Sequence, residues 1–286
     1  MEIFIQTVVS GILIGLVFSL IAVGLTLIFG VVEIVNFAHG EFLMLAMYST
    51  FWMFNLFHID PIFCIPINAV LLFFFGVAIY YLLIKHVIKA PMVAQIFATF
   101  GLMIFLQNVA LFLWKPDYRT IGDTFLTGRI EIGGIFIGIP QLASGLMAAI
   151  ATVGLYILVK KTDTGMALQA VSEDKVAATL MGINSDRTFA LAWGIGSACV
   201  GIAGTLVSTF YYIFPEVGLN FCLTAFVVVA LGGFGSIPGA FIAGIIIGLV
   251  EVVGGFLTMP AYKHALVFAV YLVIVFTRPK GLMGQF

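Results

Sequence analysis

Apolar residues gather in eight long runs, at about 4–31, 41–57, 62–84, 92–114, 135–159, 188–214, 220–256 and 262–277. A helix that crosses the hydrocarbon layer needs about 20 predominantly apolar residues, with roughly 17 tolerated. Six of the eight runs fit one crossing each. The 220–256 run has room for one kinked span or two shorter segments, and it is interrupted by Gly232, Gly233, Phe234, Gly235, Ser236, Ile237, Pro238 and Gly239. Glycine loosens the backbone there and proline removes an amide donor. The 262–277 run is short for a span. The pattern predicts an all-α, polytopic membrane protein of about eight helices, or nine if the glycine-rich break is a turn, forming one transmembrane domain over 1–286.

Composition agrees with the pattern and narrows it. Hydrophobic residues make up 63% of the chain and charged ones 9%, with mean hydropathy +1.23. A soluble domain carries roughly 25% charged residues, so this chain could not cover a water-exposed surface. Net charge is −1 and no basic tail occurs, which points away from nucleic acid. The N-terminal MEIFIQTVVSG lacks the basic region of a signal peptide, and its apolar run continues far beyond a signal's length, so a retained span is expected. Cys64, Cys199 and Cys222 lie in apolar runs without CxxC spacing and read as small buried hydrophobes.

Lysine and arginine in the loops set orientation. The 160–187 loop carries Lys160, Lys161, Lys175 and Arg187, the 85–91 loop Lys85 and Lys89, and the C-terminal segment Arg278 and Lys280. These three are expected in the cytoplasm, and the N-terminus, with Glu2 alone, outside. In the 115–131 loop, Lys115, Arg119 and Arg129 are offset by Asp117, Asp123 and Glu131. Opposite-sided ends require an odd number of crossings, which favours splitting 220–256. A weak internal repeat would place His39-Gly40-Glu41-Phe42 over Pro238-Gly239-Ala240-Phe241.

The long polar interruption at 160–187 contains a predicted helix from Met166 to Met181, rich in good helix formers and stopped by Gly182 and Asn184. Leu168, Val171, Ala178 and Met181 fall on a broadly common face, with Glu173 and Asp174 elsewhere. Such a helix suits either the bilayer surface or a cytosolic partner. The other polar interruption is VEIVNFAHGEF at 32–42, with Glu33, Asn36, His39 and Glu41. It reads as a polar turn near the cytoplasmic side, where both glutamates avoid full burial. Glu33 and Glu41 are too far apart for a compact metal site without a sharp turn. Glu251 either lines a path within the membrane, where it should face protein or water, or sits near the far interface beside Gly254 and Gly255. Asn68 and Asn220 suit hydrogen bonds to neighbouring helices, and His58, His86 and His264 suit interface positions. A phosphate-binding loop needs Gly-Lys followed by Ser or Thr, and no Gly-Lys dipeptide occurs. No catalytic constellation is recognisable, so an enzyme is not expected.

Four stretches resemble the permease subunit of bacterial branched-chain amino-acid ABC importers, the shorter of the two paired permeases. They are GLTLIFGVVEIVNFAHGEFLMLAMY at 24–48, GMALQAVSEDKVAATLMGINSDR at 165–187, ALGGFGSIPGAFIAGIIIGLVE at 230–251 and RPKGLMG at 278–284. The resemblance implies that the 165–187 segment docks on an ATPase subunit through Gly165, Ala167, Ala170, Glu173, Asp174, Ala177, Ala178, Met181, Gly182 and Ile183. Met166 and Gln169 stand where the family usually has basic residues, a departure that bears on ion pairs with the ATPase and not on docking itself. Asn36, His39, Glu41, Gly232, Gly233, Gly235 and Glu251 are the expected lining of a translocation path. The resemblance further implies a second permease subunit in a heterodimer, two cytosolic ATPase subunits that hold the ATP and magnesium, no cofactor on this chain, and a periplasmic or extracellular substrate-binding protein. It places the chain in a bacterial inner membrane, moving leucine, isoleucine, valine or similar amino acids inward. Urea, short-chain amides and other amino acids are alternative substrates. An ion-coupled secondary transporter using Glu33, His39, Glu41 and Glu251 as a proton path is the alternative mechanism.

Overall fold

The computed structural model describes residues 1–286 except Asp123, Pro279, Gln285 and Phe286. Asp123 of the 115–131 loop and Pro279 of the 278–284 motif therefore lie outside the described residues.

The apolar runs form helices close to their predicted limits: α1 (Glu2–Val32), α2 (His39–Phe57), α3 (Pro61–Ile79), which continues through a π-helical turn at Tyr80–Ile84 into α4 (Lys85–Val87), and α5 (Met92–Trp114). A hairpin of β1 (Arg129–Ile132) and β2 (Ile135–Gly138) precedes α6 (Ile139–Lys161). The short helices α7 (Asp163–Glu173) and α8 (Lys175–Leu180) lead to α9 (Ser185–Val207), and α10 (Val217–Gly232), α11 (Ile237–Leu257) and α12 (Lys263–Thr277) complete the order. Among the described residues, seven helical stretches are long and apolar enough to cross a membrane, and Val217–Gly232 is a shorter apolar helix. The chain is a multi-pass helical membrane protein.

One alternative is resolved here and two expectations change. The 220–256 run is two helices, because Gly233 and Gly235 take left-handed φ angles of 99° and 79° that break the helix. The first four residues of the 135–159 run pair as a strand, Arg129 opposite Gly138 and Ile130 opposite Ile137. The predicted Met166–Met181 helix is broken at Asp174, whose backbone is extended and whose carboxylate accepts from the N–H groups of Val176 and Ala177. The break resets the helical phase: Leu168, Val171 and Ala178 are buried as expected, but Met181 is 84% exposed.

Lipid offers helices no hydrophobic drive to associate, so close backbone approach and buried hydrogen bonds hold the bundle. α1 is its central post, packed on α11, α9, α6 and α10. Along the α1–α11 seam, a side-chain carbon at Gly15 would lie 2.8 Å from the Gly244 carbonyl oxygen. Ser19 donates across the same seam to the Phe241 carbonyl at 2.8 Å. α3 packs on α9, and between them and α2 sits Asn68, fully buried. The hydroxyls of Thr50 and Thr205 donate to carbonyls of their own helices. They accept from the Asn68 amide at 2.8 and 2.7 Å. Asn68 is thus the interhelical linker its sequence position suggested.

The two ends of α1 define two faces. At its start, Gln6 accepts from Phe136 of the hairpin, which marks a hairpin face. Near its end, the Phe29 ring packs at a 46° tilt against Phe234, 4.5 Å between ring centres. Beside that turn, Leu282 and Met283 donate backbone N–H groups to the carbonyls of Leu231 and Gly232, which marks a tail face. The described N- and C-terminal segments therefore lie on opposite faces.

Candidate functional site

The polar stretch after α1 is a re-entrant junction. Glu33 ends the helix in the left-handed region, φ 58°, and is exposed. The chain then turns back. Asn36 accepts from the Ala38 N–H at 3.1 Å, and α2 begins at His39. His39 Nε2 donates to the carbonyl of Ile21 at 3.0 Å, which assigns the ring proton to Nε2. Ile21 lies eleven residues before Val32 in α1, roughly 16 Å at 1.5 Å per residue. The start of α2 therefore sits deep beside the middle of α1, and the expected placement near one face is corrected. Asn36, His39 and Glu41 are all buried, Glu41 with 1% exposure and no hydrogen-bond partner for either carboxyl oxygen. Irregular backbone is tolerated at this depth only when protein covers it, and Ile34, Asn36 and Ala38 are indeed buried.

Residues 208–216 make the corresponding re-entry from the hairpin face. Ile213 and Arg119 exchange backbone hydrogen bonds at 2.9 Å, and the Arg119 guanidinium lies over the Phe51 and Trp52 rings, 5.3 and 5.4 Å from their centres. α10 then begins at Val217 against the start of α2, with the Gly40 and Gly218 backbones in direct contact. A side-chain carbon at Gly40 would also meet Cys222 Cβ at 2.7 Å. Two helix N-termini, each carrying positive partial charge, thus converge at depth with Glu41 between them. The Gly40–Gly218 contact joins the starts of α2 and α10.

The remaining expected path residues are spread out. Gly232 packs against the Gly239 and Ala240 backbone, and Gly233 against Gly284. Gly235 packs on Gly30, with 3.0 Å from a Gly30 side-chain carbon to Gly235 Cα, and it borders a cleft on the tail face. Glu251, 6% exposed, pairs with Lys263 at 2.9 Å towards the hairpin face, and its second carboxyl oxygen has no partner. Asn220, Thr224, Tyr211 and His264 line a small pocket with this pair. Asn36, His39 and Glu41 form one cluster and Glu251 another. The partner Lys263 was missed because it follows a turn that hydropathy reads only as a gap.

Removing one partner of a fully buried pair costs about 3–5 kcal/mol. Lys263 keeps 35% side-chain exposure, so Lys263→Met is expected to cost less, roughly 1–3 kcal/mol. Adding Glu251→Gln should restore most of the loss, as read by thermal melting in detergent. Equal melting of the single and double variants would exclude an ionised pair.

On the tail face, α7 and α8 form a ledge against the bundle. Gly165 packs on the carbonyls of Leu158 and Val159, leaving no room for a side chain. Gln169 reaches back to the Val159 carbonyl at 2.9 Å, so it braces the ledge. Lys175 lies over the Phe189 ring at 4.6 Å, and Lys85 of α4 bonds Asp186 of α9 at 2.9 Å. Outward, α8 and the residue after it present Val176, Leu180 and Met181, each at least 69% exposed. Ala167, Ala170, Glu173, Asp174 and Ala177 lie along the same two helices, and Gly182, φ 90°, and Ile183 close them.

A membrane bundle with paired re-entrant junctions at depth and a helical ledge on one face has the form of a transport protein. The sequence profile of the family described as branched-chain amino acid transport system, permease component, matches residues 7–275, and the chain belongs to that family. It is 30% identical, over 99% of its length and 96% of the relative's, to the high-affinity branched-chain amino acid transport system permease protein LivH of Salmonella typhimurium. It is 28% identical, with the same coverage, to the permease protein BraD of Pseudomonas aeruginosa. Over 81% of the chain and 75% of the relative it is 31% identical to a probable LivH of Methanocaldococcus jannaschii. No solved structure matches the chain.

Proposed function

We propose that the chain is the transmembrane permease of an ATP-driven importer that carries branched-chain or similar apolar amino acids into the cytoplasm. The substrate class follows the names of its relatives. The carrying observation is the α7–α8 ledge, whose outward apolar residues have no cover among the described residues. An ATPase subunit is the partner that fits, because force applied to this ledge reaches α6 and α9 directly. Eight of the twelve basic residues lie on or beside the tail face, which makes that face cytoplasmic by the positive-inside rule. The N-terminus is then outside and the membrane is the inner one.

A second permease completes the path against this chain, two ATPases bind ATP and magnesium, and a binding protein delivers ligand to the hairpin face. ATP binding moves the ledges and biases the permease pair between outward- and inward-open states. Asn36, His39, Glu41 and Glu251 contribute polar groups to the path once the pair opens. Reconstituted with these partners in liposomes, the chain should support leucine uptake that needs ATP on the tail-face side and stops with vanadate. Uptake driven by a proton gradient without ATPase subunits would replace this reading with ion coupling.

A further inference from the structure

Behind the ledge lies a cleft of about 570 Å³, within the roughly 300–1,000 Å³ range of small-molecule sites. Its walls come from four elements: the last turns of α1, the end of α6, the inner face of α7, and the 234–238 turn with the start of α11. Buried Leu27, Val31, Leu168 and Ile237 line the cleft together with the polar side chains of Tyr156, Gln169, Ser172 and Ser236. The rim carries one charge of each sign, Lys160 from α6 and Glu173 from α7. Among the described residues the ion pairs are Lys85–Asp186 and Lys263–Glu251, so neither rim charge is engaged.

An ammonium and a carboxylate on the rim beside buried apolar side chains match the charged head and the aliphatic side chain of a zwitterionic amino acid. We propose that this cleft binds a free aliphatic amino acid from the tail-face side, with its carboxylate towards Lys160 and its ammonium towards Glu173. Glu173 is the last residue of α7 and adjoins the Asp174 break. A ligand held between α6 and that residue ties the ledge to the bundle at its hinge. Accumulated product therefore restrains the ledge and slows further import. The inference rests on the amino-acid reading proposed above and adds a regulatory site to it.

The test uses the whole complex in nanodiscs without binding protein, with radiolabelled L-leucine as probe. Saturable binding is expected, one site per copy of this chain, weakened about tenfold or more by Lys160→Gln and by Glu173→Gln, since each removes a charge that the ligand faces. In liposomes, leucine preloaded on the tail-face side should inhibit uptake by the wild type and much less by Lys160→Gln. Absence of saturable binding, or binding that both variants leave untouched, overturns the proposal. If ATP-driven leucine uptake persists in that case, only the regulatory site falls. If the complex transports no branched-chain amino acid at all, the proposed function falls with it.

Discussion

Replacing Leu180 and Met181 together by aspartate is expected to release the ATPase and abolish uptake while leaving the fold intact. Both side chains are more than four-fifths exposed, at 83% and 84%, so the exchange removes no packing within the chain. Surface substitutions away from buried features usually change stability by no more than about 0.5 kcal/mol. At an interface the balance differs. An apolar anchor that docks in a partner's pocket supplies about 2 kcal/mol, and a buried carboxylate there adds a desolvation penalty. Association should weaken by roughly two orders of magnitude or more. The measurement is co-purification of the ATPase, with thermal melting of the free permease as the control for folding. An ATPase that still co-purifies in full would exclude this surface from docking.

The second large effect is expected at Gly40. Valine there must push against the Gly218 carbonyl and Cys222 Cβ, where two helices begin at depth and neither can retreat without moving a whole helix. Overpacking typically costs about 1–3 kcal/mol where side chains can shift. A rigid backbone contact belongs at or above the top of that range, so Gly40→Val should melt far below the wild type and lose uptake. Gly101→Val is the matched control, because a side-chain carbon there meets nothing within 4 Å. If Gly40→Val melted with Gly101→Val, the α2–α10 contact would not be a constraint on the fold.

Hydropathy revealed the helices with little error: the expected 92–114 is α5, and 41–57 became His39–Phe57, although that helix starts at depth and is not among the seven stretches long and apolar enough to cross. It did so because helix length and apolar composition are local properties of the chain. Depth is not local. Only the bond from His39 to Ile21 and the Gly40–Gly218 contact place the polar stretch beside the middle of α1. Without them, Glu41 reads as a residue at an interface. The break at Asp174 was hidden for a different reason. Aspartate is tolerated inside a helix as well as at its cap, and only the bonds to Val176 and Ala177 separate the two roles. Lys263 was legible as a charge but not as the partner of Glu251, since pairing requires knowing that Thr258–Tyr262 folds back.

The clasp between the tail and α10 also bears on how the chain is made. The carbonyls of Leu231 and Gly232 receive their donors from Leu282 and Met283, and translation delivers those residues only after α11 and α12 have passed through the ribosome. Until then the end of α10 has carbonyls without these protein donors, and the turn at Gly233 lacks the strap that covers it. Insertion of the helices and closure of the tail face are therefore separate events in biogenesis. A quality-control protease that reads exposed backbone at the membrane surface would find its target in the interval between them.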